Sequence, residues 1–178
     1  MLVTLAGRRI DAIDAKEIRF PLKNVELVTG RVREMLTQQQ ARALVCAAAC
    51  GADLLALSVA GELRLHRKIV LPFSRERFRE TSVVDRPGEW GPLYDRILDE
   101  VEGKGDLVVM APTSDDDAYA AGNLAILDQA IQLGRELHEP VTAALVWNGE
   151  SRGSSDVTEG FGIEARRRGL TVVEVKTL

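Results

Sequence analysis

Short apolar runs alternate with longer amphipathic segments along the whole chain. Six runs are apolar at nearly every position rather than at every second one, which is typical of parallel strands covered on both faces. They span residues 2–6, 43–49, 68–73, 106–111, 141–147 and 171–176. Helical periodicity predicts helices over residues 25–40, 52–65, 93–102, 119–137 and 158–168. This alternation predicts a doubly wound α/β fold: a mostly parallel six-stranded sheet with helices on both faces, in three layers.

Length and composition fit one globular domain, which we expect to comprise residues 1–178. Hydrophobic residues make up 46% of the chain and charged residues 28%, which argues against disorder and coiled coil. The net charge of −4 argues against a general nucleic-acid surface, because phosphate backbones require concentrated Lys and Arg. The N-terminal apolar run is too short for a signal peptide or a membrane span, so we expect a cytoplasmic protein without membrane association.

The two cysteines, Cys46 and Cys50, lie close together at the end of the second predicted strand. Without a second pair or a nearby His they fall short of the four ligands of a structural zinc, so we expect no metal site. We expect reduced, packed thiols instead, and no cofactor.

Two segments are longer than ordinary connections, residues 11–24 and residues 74–92. Segments of this length in a compact domain usually have a function. The second contains Trp90 and is followed by Tyr94, and either ring could stack on a base if the segment formed a lid. The alternative is that both rings pack beneath the segment.

Small, flexible and charged residues follow the predicted strands. Because ligands of doubly wound sheets bind at the carboxyl ends of the strands, these residues form the candidate ligand-binding site. They are Gly7, Arg8 and Arg9 after the first strand, Gly51, Ala52 and Asp53 after the second, Arg75 after the third, and Asn148 and Gly149 after the fifth. Arginines can hold phosphate bidentately. The alternatives are ordinary turn and capping roles and, for Arg8, a structural ion pair.

The turn at residues 50–53 is the strongest single signal, because a strand that feeds directly into a helix directs free backbone N–H groups at its ligand. We predict an anion or ribose site there, with Asp53 accepting sugar hydroxyls or polarising a water molecule. Stabilisation by the helix dipole is the alternative role of Asp53.

A second candidate anion site lies in residues 149–162, which join the fifth strand to a helix. Gly153, Asp156 and Thr158 supply small or polar groups that could surround an anion, and Glu159 lies in the first helical turn. The loop lacks the lysine and spacing of a P-loop, and the first turn, GRRIDA, lacks the dinucleotide fingerprint. A capped helix next to a surface loop is the alternative.

Together these motifs resemble those of the SLOG superfamily of Rossmann-like proteins. The segments that carry the resemblance are AGRR at 6–9, CGAD at 50–53, LPF at 71–73, YAAGNLAILDQA at 119–130 and WNGESRGSSDVTE at 147–159. The superfamily includes the LOG or lysine decarboxylase-like phosphoribohydrolases and the DNA-processing protein A family. The resemblance covers nearly the entire chain and implies a nucleotide or nucleotide-derived ligand across the strand ends. The positions carried over are Gly7, Arg8, Gly51, Asp53, Gly149 and Thr158.

The chain departs from the hydrolytic LOG pattern, which has Pro-Gly-Gly-x-Gly-Thr followed by paired glutamates. Here Ser154, Ser155 and Asp156 replace the glycines, and only Thr158 and Glu159 match. The leading hypothesis is therefore a nucleotide sensor or ligand-binding module. The alternatives are a nucleotide phosphoribohydrolase or related hydrolase with Asp53 and Glu159 as catalytic residues, and a ligand-free interaction protein. Apolar residues on more than one face of the helix at 119–137 also permit a homo-oligomer.

Overall fold

The computed structural model describes residues 1–111 and 115–178, together with the side chains of all of these except residues 115–117. Within these residues the strands are β1 (Leu2–Gly7), β2 (Ala43–Cys46), β3 (His66–Leu71), β4 (Leu107–Val109), β5 (Val141–Trp147) and β6 (Thr171–Lys176). The α-helices are α1 (Val25–Gln38), α2 (Ala52–Glu62), α3 (Arg75–Ser82), α4 (Trp90–Glu102), α5 (Asp115–Leu137) and α6 (Val157–Arg167). A short 3-10 helix, Leu22–Asn24, precedes α1.

The described strands form one sheet in the order β4-β3-β2-β1-β5-β6, and every neighbouring pair is parallel. After β4, at one edge, the chain returns to place β5 beside β1. The strand order therefore reverses between β1 and β5, which makes their carboxyl ends the expected ligand position. The predicted parallel, doubly wound, Rossmann-like sheet is confirmed.

Two apolar clusters cover the two faces of the sheet, because successive strand side chains point to opposite faces. Val3 and Leu5 of β1 join one cluster with residues of α1, α2 and α4. Leu2 and Ala6 join the other with residues of α5 and α6. The three-layer arrangement is thus also confirmed.

The largest difference from the sequence prediction lies in residues 74–92, which form helix α3 and the start of α4 as well as connecting turns. The hydroxyl of Ser74 caps α3 by accepting a hydrogen bond from the Arg77 N–H at 3.3 Å. The helix is highly polar, and Phe78 is its one large buried side chain, so its apolar periodicity is weak. Strand β2 is also shorter than predicted, since it ends at Cys46 rather than at residue 49.

The two aromatic residues of the proposed lid are part of the core. Trp90 and Tyr94 are buried in α4, where the Trp90 Nε1 donates to the Pro87 carbonyl at 2.8 Å. The Tyr94 hydroxyl donates to the Arg75 carbonyl at 2.9 Å, and its ring stacks on Phe78 with centroids 6.4 Å apart. Neither ring is therefore free to stack on a base, and the alternative, packing beneath the segment, describes both.

Cys46 and Cys50 are free and buried. Burial raises the pKa of both thiols, that of Cys50 to about 11, so they lack the thiolate character of reactive cysteines. None of the helices in the described part of the chain has the length and hydropathy needed to cross a membrane.

Candidate functional site

A cleft of about 590 Å³ opens at the carboxyl ends of the central strands. The end of β1 contributes Gly7 to its wall, and the residues after β2 contribute Ala47 and Ala49. The loop after β1 borders the cleft from Asp11 to Arg19, so part of the long segment 11–24 lies at the candidate site. The cleft thus lies next to the reversal of strand order, where ligands of this class of sheet bind.

The structure brings part of the predicted binding set together. Five of its residues line the cleft: Gly7, Arg8, Arg9, Asp53 and Thr158. The residues that do not line it are Gly51, Ala52, Arg75, Asn148, Gly149, Gly153, Asp156 and Glu159.

The turn before α2 packs against the end of β1. A Cβ at Gly7 would lie 2.3 Å from the Cβ of Ala52 and 2.7 Å from the Val146 carbonyl oxygen. At Gly51 the φ angle is +91°, and a Cβ would lie 2.8 Å from the Arg8 carbonyl oxygen. That same oxygen accepts the Ala52 N–H at 3.1 Å. Both glycines therefore permit close backbone approach, and the Ala52 N–H is bound within the protein rather than directed at a ligand.

Asp53 is the residue of this turn that lines the cleft, although its side chain is mostly shielded from solvent. Its carboxylate accepts the Ala49 N–H at 3.2 Å. Burial raises the pKa of Asp53 to about 7, against smaller lowering contributions from the Ala49 hydrogen bond and the positive charge of Arg9. A carboxyl group that titrates near neutrality in a cleft can accept a hydroxyl hydrogen bond or exchange a proton with a ligand.

Arg8 lines the cleft but directs its guanidinium into the protein. Nη1 and Nη2 each donate to one carboxylate oxygen of Asp156 at 2.7 Å. Nη2 also donates to the Glu150 carbonyl at 2.5 Å, and Nε donates to Asn148 Oδ1 at 3.3 Å. These contacts involve all three guanidinium nitrogens. Arg8 therefore forms a structural ion pair, the alternative considered from the sequence, and its guanidinium does not face a ligand.

Asp156 fills the second predicted anion site with its own carboxylate. It is the N-cap of α6, where Oδ1 accepts the N–H groups of Thr158 at 2.9 Å and Glu159 at 3.2 Å. Its Oδ2 accepts the Arg152 N–H at 2.8 Å. Burial acts to raise the pKa of Asp156, but the hydrogen bonds from Arg8 and the backbone outweigh it and lower the pKa to about 2. The start of α6 is the capped helix weighed as the alternative, and its N–H groups already hold an anion.

Two other predicted residues have partners away from the cleft. Arg75 binds the Asp99 and Glu102 carboxylates at 2.6 and 2.8 Å, between α3 and α4. Glu159, the second candidate catalytic residue, accepts a hydrogen bond from the Ser151 hydroxyl. Gly149 does not line the cleft either, and its φ angle of +91° accounts for a glycine there.

The structure adds residues that the sequence did not single out as ligands. Among the described residues, further side chains that line the cleft are Lys16, Arg19, Phe78, Ser82, Arg86, Tyr119, Asn123 and Arg152. The hydroxyls of Tyr119 and Ser82 are hydrogen-bonded at 2.8 Å, and the Tyr119 ring meets Phe73 edge to face. For Lys16, Arg19 and Arg86, the sequence pointed to a functional role only through the unusual length of the segments that contain them. No local motif distinguishes the individual side chains.

Comparison with known proteins gives a likeness of fold. No protein-family model and no curated protein matches the chain. The chain is similar to DNA processing protein A. The X-ray structure of that protein (DprA) from Streptococcus pneumoniae matches with a TM-score of 0.44 and 13% sequence identity. The match covers 98% of this chain but 58% of the other, so this chain spans little more than half of that length.

Proposed function

We propose that the protein binds a nucleotide or nucleotide-derived ligand in the cleft, as a sensor or ligand-binding module. The observation that carries the proposal is the cleft itself, about 590 Å³ in volume and placed where the strand order reverses. This volume is in the ordinary range of small-molecule sites. The position is the one that ligands of doubly wound sheets occupy.

The lining groups match the parts of a nucleotide. Asp53 offers a carboxylate for ribose hydroxyls, while Val157 and the ring of Tyr119, 36% and 39% exposed, offer apolar surface for a base. Positively charged side chains such as Arg86 and Arg152 border the same cleft and complement phosphate.

Binding without cleavage is the better-supported activity. Hydrolysis of an N-glycosidic bond by the predicted pair, Asp53 and Glu159, would need both carboxyl groups beside the sugar, but Glu159 is outside the cleft. One observation favours the hydrolase as a second candidate: the pKa of Asp53, near 7, suits a group that protonates the leaving base or activates water. In that reaction water adds to the sugar carbon, and the base leaves with a proton.

The test is a thermal-shift panel of the four common ribonucleosides and their 5′-phosphates on the full chain. Binding to the folded state raises its stability, so at least one compound should raise the melting temperature. Asp53→Asn, which removes the charge while keeping the shape, should weaken the response, whereas the exposed Asp128→Asn should not. A panel without any shift would overturn the proposal and favour the ligand-free interaction protein.

Chromatography of the same mixtures separates the two ligand-dependent candidates. Unchanged nucleotide together with a thermal shift supports the binding module. Release of free base, lost in Asp53→Asn, would instead support the hydrolase.

A further inference from the structure

Four arginines surround the cleft: Arg9, Arg19, Arg86 and Arg152, here called the arginine rim. Arg9 and Arg19 come from the loop after β1, Arg86 from the turn between α3 and α4, and Arg152 from the loop before α6, so the fold rather than a local motif brings these three segments together. The described charged residues that line the cleft are six cations (Arg8, Arg9, Lys16, Arg19, Arg86, Arg152) and three acids (Asp11, Glu17, Asp53). The whole chain has a net charge of −4, so the cleft is of the opposite sign to the molecule.

The nearby acidic groups do not fully compensate the rim. Arg9 and Arg86 share Asp85, with Arg9 Nη1 at 2.8 Å and Arg86 Nε at 3.4 Å from the same oxygen. Arg152 approaches Asp156 only to 3.7 Å, because Arg8 already binds both oxygens of that carboxylate. Arg19 binds Glu17. Three carboxylates, those of Asp85, Asp156 and Glu17, thus serve five guanidinium groups: the four of the rim and that of Arg8.

Arg86 carries an unused donor. Its Nε is buried, yet the geometry of its contact with Asp85 does not make a hydrogen bond, and no described residue accepts from it. Buried donors are nearly always paired in folded proteins, so Arg86 is the rim guanidinium with spare donor capacity. Its side chain is 25% exposed and lines the cleft, which leaves it accessible to an acceptor that enters there.

Arg152 shows that the cations crowd one another. Burial lowers the pKa of its guanidinium, Asp156 opposes this, and the positive charges of Arg8, Arg19 and Arg9 lower the pKa further. Its side chain is 44% exposed, so it can reach a ligand in the cleft. An anion between these groups would relieve their repulsion.

The N-terminus of α6 offers no competing place for the anion. Asp156 accepts the hydrogen bonds that a phosphate would accept there, from two N–H groups at the start of α6 and from Arg8. A phosphate at this position would have to displace a buried, hydrogen-bonded carboxylate.

We infer that the arginine rim binds the phosphate groups of the ligand, so that the cleft selects phosphorylated nucleotides over nucleosides. This inference rests on the proposed function and adds where the anionic end of the ligand binds. Arg86 and Arg152 supply the donors, because they have the weakest internal partners of the rim.

Calorimetric titration of the full chain tests the inference with ribonucleosides, their 5′-mono- and diphosphates, and inorganic pyrophosphate. For the base that binds, each charge-assisted contact should add about tenfold in affinity, so the diphosphate should bind most tightly. Added salt should reduce this gain, because screening weakens exposed charge interactions. Pyrophosphate alone should bind the wild type at low ionic strength.

Arg86→Gln and Arg152→Gln should each weaken phosphate-dependent binding by about tenfold and leave nucleoside affinity unchanged. Arg167→Gln, at the other end of α6 and 72% exposed, is the matched control and should bind like the wild type. Melting temperatures without ligand check that each variant is folded. Arg86→Lys, which keeps the charge, should recover part of the loss.

The outcomes separate this inference from the proposed function. Nucleosides that bind as tightly as diphosphates, or rim variants that behave like Arg167→Gln, would overturn the inference and leave nucleotide binding intact. Pyrophosphate binding without any nucleoside or nucleotide binding would support the rim and overturn the proposed function. If neither pyrophosphate nor any nucleotide binds, both fail.

Discussion

Arg8 and Asp156, which are 148 positions apart in the sequence, form a bidentate ion pair with both contacts at 2.7 Å. The two side chains are 3% and 0% exposed, respectively. The pair joins the end of β1 to the start of α6, the two elements whose turns the sequence identified as separate ligand sites. It therefore ties these two turns together beside the cleft instead of presenting two binding groups to it.

Removing either partner should strongly destabilise the protein. Arg8→Ala or Asp156→Ala leaves a buried charge without its counter-ion, and we expect a loss of about 3–5 kcal/mol in the free energy of unfolding. Urea denaturation measures this loss. The double variant should lose less than the sum of the single variants, because the two groups interact directly. A single-variant loss as small as that of an exposed ion pair would contradict the structural role.

Asp156 should make the protein sensitive to acid. Its pKa in the folded state is about 2, below the ordinary value near 3.8, so the ionised form stabilises the fold. This contribution is complete above pH about 4 and is lost as the pH falls towards 2, amounting to about 2–3 kcal/mol. The difference in unfolding free energy between wild type and Asp156→Asn should shrink over that interval. A constant difference would contradict the low pKa.

Asp53 should change the stability of the fold with pH in the opposite direction to Asp156 and in a different pH range. Its folded pKa, about 7, exceeds the ordinary value near 3.8, so the folded state holds a proton that the unfolded state releases. Stability should therefore fall by a few kcal/mol as the pH rises from about 4 to 7 and level off above that. Asp53→Asn should flatten this slope, and Asp128→Asn should not. Parallel pH profiles of wild type and Asp53→Asn would show that Asp53 has an ordinary pKa.

Gly7 should tolerate no side chain. Its added Cβ would overlap Ala52, so Gly7→Ala should destabilise the fold by about 1–3 kcal/mol. The control is Gly30→Ala within α1, where a Cβ meets nothing within 4 Å and the better helix propensity of Ala should add about 0.5–1 kcal/mol. Thermal unfolding compares the two variants. Equal effects at both glycines would argue against the close approach at Gly7.

The sequence predicts the strands better than the polar helix beside them. Strands such as β5 (Val141–Trp147) are apolar throughout, and their positions follow directly from that pattern. Helix α3 (Arg75–Ser82) is not predicted from the sequence pattern. Phe78 is its one large buried residue, so its sequence does not show an apolar face. Its position depends on packing against α4, which is a tertiary property.

The residues of the candidate site also divide into those that the local sequence predicts and those that depend on tertiary contacts. The residue type and strand-end position of Asp53 sufficed to place it in the cleft. The role of Arg8 could not be predicted from its local sequence. Its partner Asp156 follows β5, which lies on the other side of β1 from β2, and is 148 positions away in the sequence. Arg75 follows a strand as Arg8 does, yet its side chain pairs with acids of α4. Strand-end position therefore identifies candidates, while long-range ion pairs decide which of them face a ligand.

Amide chemical-shift mapping of the full chain with AMP, GMP, CMP and UMP tests the central claim most directly, because it reports both binding and position. The account predicts that at least one of the four perturbs the amides of Asp53, Arg86, Arg152 and Thr158, all of which line the cleft. The amides around Arg75 and at the C-terminal end of α6 should not move. Four spectra without perturbation, or shifts confined to surfaces away from the cleft, would contradict nucleotide binding at the strand ends.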